Sequence, residues 1–191
     1  MNKLNLNNAV ILDTETTGLG QFDEVCEVSI IDALHGNELF SSLICPSKPI
    51  PLDVTRIHGI TYDVVRDAPS IVDVWPQIES VLSGRELLTY NSDFDVRLLL
   101  QSIRYSGCDA SLIASQEQFL SSLPTSCVMH WYAEFFGEIN VVSGDFRWQS
   151  LSSACSQQGI DVSDLVAHRA LADCEMTKRL IHSVNSQISE A

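Results

Sequence analysis

The 191-residue sequence predicts an α/β fold, a mixed β-sheet with helices packed on it. Three observations carry this. The run Ala9-Val-Ile-Leu-Asp-Thr-Glu is apolar until it ends in two acids, the pattern of a buried strand whose carboxyl end opens onto solvent. Two further extended runs follow, separated by the turn residues His35-Gly-Asn. Beyond them Glu86-Leu-Leu-Thr-Tyr passes at once into a helical pattern, which makes a strand-to-helix crossover.

In chain order, the first strand covers Ala9 to Glu15. Glu24 to Ala33, rich in Val and Ile, pairs as a hairpin with Glu38 to Cys45. Pro46, Pro49 and Pro51 punctuate an irregular loop, and Leu52 to His58 fits a short helical turn. Ser70 to Leu82 has apolar residues at helical spacing in spite of Pro76, with Gly84 to end the helix. After the strand at Glu86, the segment from Asn91 carries the apolar stripe Leu98, Leu99 and Ile103. Ser106 to Ser122 is polar and poorly periodic and predicts no element. Ser126 to Phe136 and Gln149 to Gln157 read as helices separated by a Gly-containing loop, and Arg169 to Ile188 as a long terminal helix. Without repeats, low-complexity tracts or linkers, residues 1–191 are expected to form a single domain, long enough to bury about 70% of its unfolded surface.

Composition excludes several classes. No apolar run approaches the ~20 residues of a membrane helix, and the first eight residues lack the apolar stretch of a secretory signal, so a cytoplasmic location without a membrane partner is expected. The six cysteines (Cys26, Cys45, Cys108, Cys127, Cys155, Cys174) contain no C-x-x-C pair, which argues against zinc and disulfides and for reduced, mostly buried thiols. With 25 acidic and 11 basic side chains, the formal net charge is -14. That sign opposes long-range attraction to nucleic acid, so a polyanionic ligand must be held locally.

Asp13 and Glu15, two apart on a strand, leave the same face side by side. A solvated pair is the bland explanation, but here the acids end a hydrophobic strand and run into Thr16-Thr-Gly, whose glycine allows a turn and close backbone approach. Hard oxygen ligands at such a place suit Mg²⁺ or Mn²⁺. Asp95 lies one turn before Leu99 on the inward side of its helix; on its own it reads equally as part of a cap with Ser92. His168 and Asp173 are five apart, about 140° on a helix, so they converge only if His168 precedes the helix that holds Asp173. Taken singly, a surface histidine and a solvated acid explain them as well.

Three segments, Val10-Ile-Leu-Asp-Thr-Glu-Thr-Thr-Gly-Leu, Tyr90-Asn-Ser-Asp-Phe-Asp and His168-Arg-Ala-Leu-Ala-Asp-Cys, resemble in order and spacing the three motifs of the DEDDh 3′-to-5′ exonuclease superfamily. That group takes in proofreading exonucleases, ribonuclease T and exonuclease X. His58-Gly-Ile-Thr looks like the family segment between the first two motifs, so the resemblance covers nearly the whole chain. Tyr90 and Ser92 depart from the histidine and alanine common in members, and Asp93 competes with Asp95, which follows Phe94 as in the family's F-D pair.

The resemblance implies a ribonuclease-H-like mixed five-stranded sheet with helices on both faces. It implies removal of 5′-mononucleotides from nucleic-acid 3′ ends, single-stranded or short, with DNA slightly favoured over RNA. Two Mg²⁺ (or Mn²⁺) would be bound, Asp13 bridging them, Glu15 and Asp173 holding the ion that binds the attacking water, Asp95 supporting the second, and His168 acting as general base. Two such ions leave the molecule strongly acidic. For the terminal nucleotide the resemblance points to Thr16, Thr17, Gly18 and Leu19 on one side and to His58 and Phe94 on the other; Leu19, Phe94 and Ile60 read equally as core. Members form both monomers and homodimers. Phe146-Arg-Trp148 either stacks on a nucleotide or staples a helix to the core, the staple being the expected reading. Arg56, Arg66, Arg97, Arg147 and Arg169 are candidates for a basic rim. Two alternatives stand beside this: a haloacid-dehalogenase-like phosphatase with Asp13 as nucleophile, and a non-catalytic module that binds nucleic-acid ends or protein.

Overall fold

Apolar side chains on both faces put β1 (Ala9–Thr16) at the centre of the sheet: Ile11 packs on one side and Val10 and Leu12 on the other, all fully buried. The computed structural model describes residues 1–189. β1 pairs antiparallel with β2 (Val25–Asp32), which pairs antiparallel with β3 (Glu38–Leu43). The hairpin turns where Asp32 accepts hydrogen bonds from the amides of Leu34 and His35, and Gly36 supplies the positive φ that the turn requires. On its other edge β1 runs parallel to β4 (Glu86–Thr89), and β4 runs parallel to β5 (Thr125–Cys127). The five-stranded order is β3-β2-β1-β4-β5.

Helices cover both faces. α1 (Leu52–His58) and α2 (Tyr62–Val65) occupy the proline-punctuated connection. α3 (Ile71–Leu82), α4 (Ser92–Tyr105) and α5 (Ala110–Ser122) pack against the Val10, Leu12 and Ile30 face. α6 (Val128–Phe136), α7 (Leu151–Gln157) and α8 (Ala170–Gln187) pack against the Ile11 and Leu88 face through Tyr132, Cys155, Cys174 and Leu180. α3 starts at a capping box in which Ser70 and Asp73 exchange side-chain and backbone hydrogen bonds.

Three details differ from the expectation. α5 forms in the segment judged aperiodic. Asp109 caps it by accepting from the amides of Ser111 and Leu112, and Ile113, Phe119 and Leu120 pack on the second core face; serine and glutamine between them mask the spacing. β5 takes the first residues of the helix expected from Ser126, because parallel pairing with β4 outweighs local preference in so short a run. The cap of α4 is Asn91, not Ser92, so the capping explanation of Asp95 does not hold. All six thiols are free, with Cys26, Cys155 and Cys174 buried and the other three half-buried. Among the described residues no helix is long and apolar enough to cross a membrane.

Candidate active site

The site arises where the two edges of β1 end at different heights. Pairing with β2 continues through Glu15↔Glu27, whereas pairing with β4 stops at Ile11↔Leu88. The stretch from Asp13 onward is therefore uncovered on its β4 side, and the first turn of α4 fits there. Odd residues of β1 face α8, so Asp13 and Glu15 meet Asp173 in the first turn of that helix: one carboxylate oxygen from each lies within 4.8 Å of the others. Thr14 faces α4, and its hydroxyl donates to Oδ1 of Asp95 at 2.8 Å. Asp95 is buried, stands beside the group of three rather than in it, and adds its charge to that of Asp13. Asp93, the competing acid, is exposed.

Burial and mutual repulsion raise the proton affinity of these acids. For Asp13 burial is the larger cause, followed by the charges of Asp95, Asp173, Glu15 and Glu27, and its carboxyl sits well above the usual range. Burial, then Asp173 and Glu27, push Glu15 up to about 8. Burial pushes Asp95 up to about 7 against the lowering effect of the Thr14 hydroxyl, and Asp173 is raised by burial as well. Carboxylates this close are stable together as protonated groups or around a cation, and three hard anionic oxygens within 4.8 Å fit a small hard dication.

His168 lies in the turn before α8, exposed, with φ at 61°, and its amide donates to Oδ1 of Asp173 at 3.4 Å. The geometric condition set by their spacing is therefore met: the histidine precedes the helix that holds the acid. Behind it, Arg169 and the amide of Ala170 are both bonded to Glu27 of β2. Thr14 and Glu27 were missed by sequence reasoning. An acid in the middle of the apolar run Val25-Cys-Glu-Val-Ser-Ile-Ile was the available signal for Glu27; nothing local marked Thr14.

The residues expected at the terminal nucleotide fall into two sets. Thr16 and Thr17 are buried with their hydroxyls committed, Thr16 donating to the carbonyl of Gly18 and Thr17 to Asp23. Gly18 has φ at 156°, and a Cβ there would stand 2.6 Å from Oδ2 of Asp23, so the turn needs glycine. His58 is buried, its Nδ1 accepting from the Ile60 amide and its Nε2 facing the Thr16 carbonyl, and burial lowers its pKa. These groups shape the loop. Leu19, 79% exposed, and half-buried Gly18 and Phe94 are the ones open to a ligand. Arg97, over the Phe94 ring, donates to the carbonyls of Leu19 and Gly20 and so braces the loop against α4.

The helix staple expected of Phe146-Arg-Trp148 does not form. Phe146 and Trp148 are 42% and 63% exposed, Trp148 packs on His130, and Arg147 pairs with Glu138. Ile139 and Phe146 bridge in a small hairpin that carries these rings outward. Of the arginines expected at a basic rim, Arg66 pairs with Asp63 and Asp67, and Arg97, Arg147 and Arg169 have the partners given above.

Residues 10–181 match the family model described as Exonuclease. The chain is 36% identical over 178 residues to the uncharacterized exonuclease CP81 of Escherichia phage 186, covering 93% of this chain and 88% of that protein. It is 28% identical over 177 residues to DNA polymerase III subunit epsilon of Pasteurella multocida, covering 87% of this chain and 64% of that subunit. Among solved structures, exonuclease X in complex with 5′ overhanging duplex DNA superposes with a TM-score of 0.66 at 26% identity, over 93% of this chain and 92% of that one. E. coli exonuclease I in complex with a dA16 oligonucleotide, at 17% identity and a TM-score of 0.69, covers 93% of this chain and 40% of its own and shares the fold. The phosphatase alternative loses its ground here, because the match runs through all three motif segments: the chain belongs to the exonuclease family, in the DEDD superfamily of 3′-to-5′ exonucleases.

Proposed function

We propose that this chain, acting as one cytoplasmic domain, hydrolyses the terminal phosphodiester at nucleic-acid 3′ ends and releases 5′-mononucleotides with the help of divalent metal. The observation that carries the reading is the meeting of Asp13, Glu15 and Asp173 within 4.8 Å, with buried Asp95 alongside. Two Mg²⁺ (or Mn²⁺) held there would acidify a water and stabilise charge on the attacking and leaving oxygens. Asp13 would serve both ions, Glu15 and Asp173 the one near the attacking water, and Asp95 the second. His168, on the solvent side of Asp173, takes the water's proton on an unprotonated ring nitrogen and so works as general base only when neutral. Leu19 and Phe94 contact the terminal base, while the backbone amides of Gly18 and Leu19, just past the Thr17 amide that donates to the Glu24 carbonyl, meet sugar and phosphate; apolar contact of this kind accepts any base.

DNA is the favoured substrate. Exonuclease X, the structural relative at 26% identity, was solved on duplex DNA, and the Pasteurella multocida relative is a DNA polymerase subunit. A net charge of -14 favours weak, salt-sensitive capture of short or single-stranded ends over tight binding to long duplex, by a monomer or a homodimer. The test uses 3′- and 5′-labelled DNA and RNA oligonucleotides, with and without Mg²⁺, analysed for product length. Mononucleotides from the 3′ label, lost in Asp13→Ala and on chelation, are expected. Internal cleavage, or release that survives Asp13→Ala, would overturn the reading.

A further inference from the structure

Glu27 is a fifth carboxylate next to the four acids of the site, yet it takes no part in their cluster. It lies in the middle of β2, directly opposite Glu15 in the antiparallel register, and only 6% of it is exposed. A buried carboxylate in that position would add to an already crowded negative pocket unless something held it. Arg169 does so: its Nε donates to Oε2 at 3.0 Å, and its terminal nitrogen donates to Oε1, so the guanidinium meets both oxygens as a fork. The remaining capacity of Oε2 goes to the amide of Ala170 at 2.9 Å, the first residue of α8. One side chain from the sheet thus accepts from two consecutive residues 142 and 143 positions away in the chain.

These two residues sit between His168 and Asp173. His168 has φ at 61°, a conformation that costs a non-glycine residue energy and persists where neighbouring contacts impose it. On one side its amide is held by Asp173, and on the other Arg169 and Ala170 are bolted to β2. Nothing else bonds the backbone of this turn to the sheet that carries Asp13 and Glu15 among the hydrogen bonds of the described residues.

We propose that Glu27 and Arg169 are a pair of positioning residues, a clamp that fixes the start of α8 on β2 so that His168 and Asp173 stand against the acids of β1. Neither touches substrate. The clamp deepens the exonuclease reading and rests on it for the consequence on rate, but its structural half stands apart from that reading. A lysine replaces arginine here only in part, because it offers one point charge where Glu27 accepts a planar fork.

The test compares wild type with Arg169→Ala, Arg169→Lys and Glu27→Gln, and with Arg104→Ala as a control in an exposed pair far along α4. Arg169→Ala should lower kcat on a single-stranded oligonucleotide by about 10²-fold with KM within about threefold, the cost of a small misplacement of catalytic groups. Millimolar guanidinium should restore part of kcat, as it refills the fork, and Arg169→Lys should lie between wild type and Arg169→Ala. Amide exchange over residues 164–172 should quicken in Arg169→Ala and in Glu27→Gln while β1 and β2 stay protected. A kcat that stays near wild type, a loss that guanidinium leaves untouched, or unchanged exchange over 164–172 would overturn the clamp. If the wild type itself releases no mononucleotide, the exonuclease reading falls, and the exchange measurement still decides the clamp.

Discussion

Raising the pH of the metal-free protein from about 6.5 to about 8.5 should lower its melting temperature, and saturating Mg²⁺ should remove most of that loss. Burial and neighbouring acids hold Asp13 well above the usual carboxylate range, Glu15 at about 8 and Asp95 at about 7. In the unfolded chain the same groups titrate near 4. Between those limits the folded state carries protons that the unfolded chain has given up, so this stabilisation is complete below the unfolded values and is lost as pH climbs through the folded ones. One such proton is worth about 1.4 kcal/mol per pH unit, or about 2 kcal/mol over the roughly 1.5 units up to the Glu15 value. Glu15 is partly open to water, and screening cuts that to about 1 kcal/mol. Asp95 adds a smaller amount over its shorter stretch. At about 2–4 °C per kcal/mol for a chain of this size, Glu15 and Asp95 together give a fall of about 2–6 °C, and Asp13, raised further, adds to it. His58 acts with the opposite sign, since burial lowers its pKa, but its effect is confined to pH below its ordinary 6.5. Scanning calorimetry in chelator and in Mg²⁺ at both pH values checks this. A melting temperature in chelator that is flat or rises with pH, or a fall that Mg²⁺ leaves unchanged, would refute the idea that crowded acids share protons in the empty site.

His168→Ala should cut kcat by about 10²–10⁴-fold, the range for a lost general base, while leaving the Mg²⁺-induced rise in melting temperature intact. Thr14→Val removes the hydroxyl that donates to Asp95 at 2.8 Å; it should cost about 1–2 kcal/mol in chemical denaturation. Because that hydrogen bond favours the ionised acid, the same variant should also need more Mg²⁺ for half-maximal rate. Ser70→Ala breaks the capping box of α3, far from the acids, and should cost about 1 kcal/mol of stability with kcat unchanged.

The parts of the fold that were legible in the sequence are those whose signal is local. β1 announces itself by an apolar run with acids at its end, the hairpin by two extended runs around His35-Gly-Asn, and α8 by length. β5 is three residues long, and its pairing with β4 is a tertiary fact that no window of sequence contains. α5 depends on Asp109 as a cap and on a few apolar contacts spaced among serines and glutamines, which is a weak period for its 13 residues. Phe146 and Trp148 misled for a related reason: aromatic residues usually end up in a core, and only the hairpin closed by Ile139 and Phe146 turns them outward.

For the site, the same distinction separates Asp13 from Asp95. Two acids on alternate positions of one strand must share a face, so the closeness of Asp13 and Glu15 follows from the sequence with no knowledge of the rest. Asp95 is drawn to them by a mismatch between strands: β4 stops pairing at Leu88, β1 runs on to Thr16, and the notch between them admits the first turn of α4. The acid then lies on the far face of β1, and Thr14, which points to that face, gives it a donor. Glu27 completes the logic from the other edge, since β2 accompanies β1 past the notch and brings a carboxylate level with Glu15 that Arg169 must occupy. A pocket of this kind is built from where strands end, and its chemistry follows: acids from both faces of one sheet can crowd a single point only where the sheet has stopped.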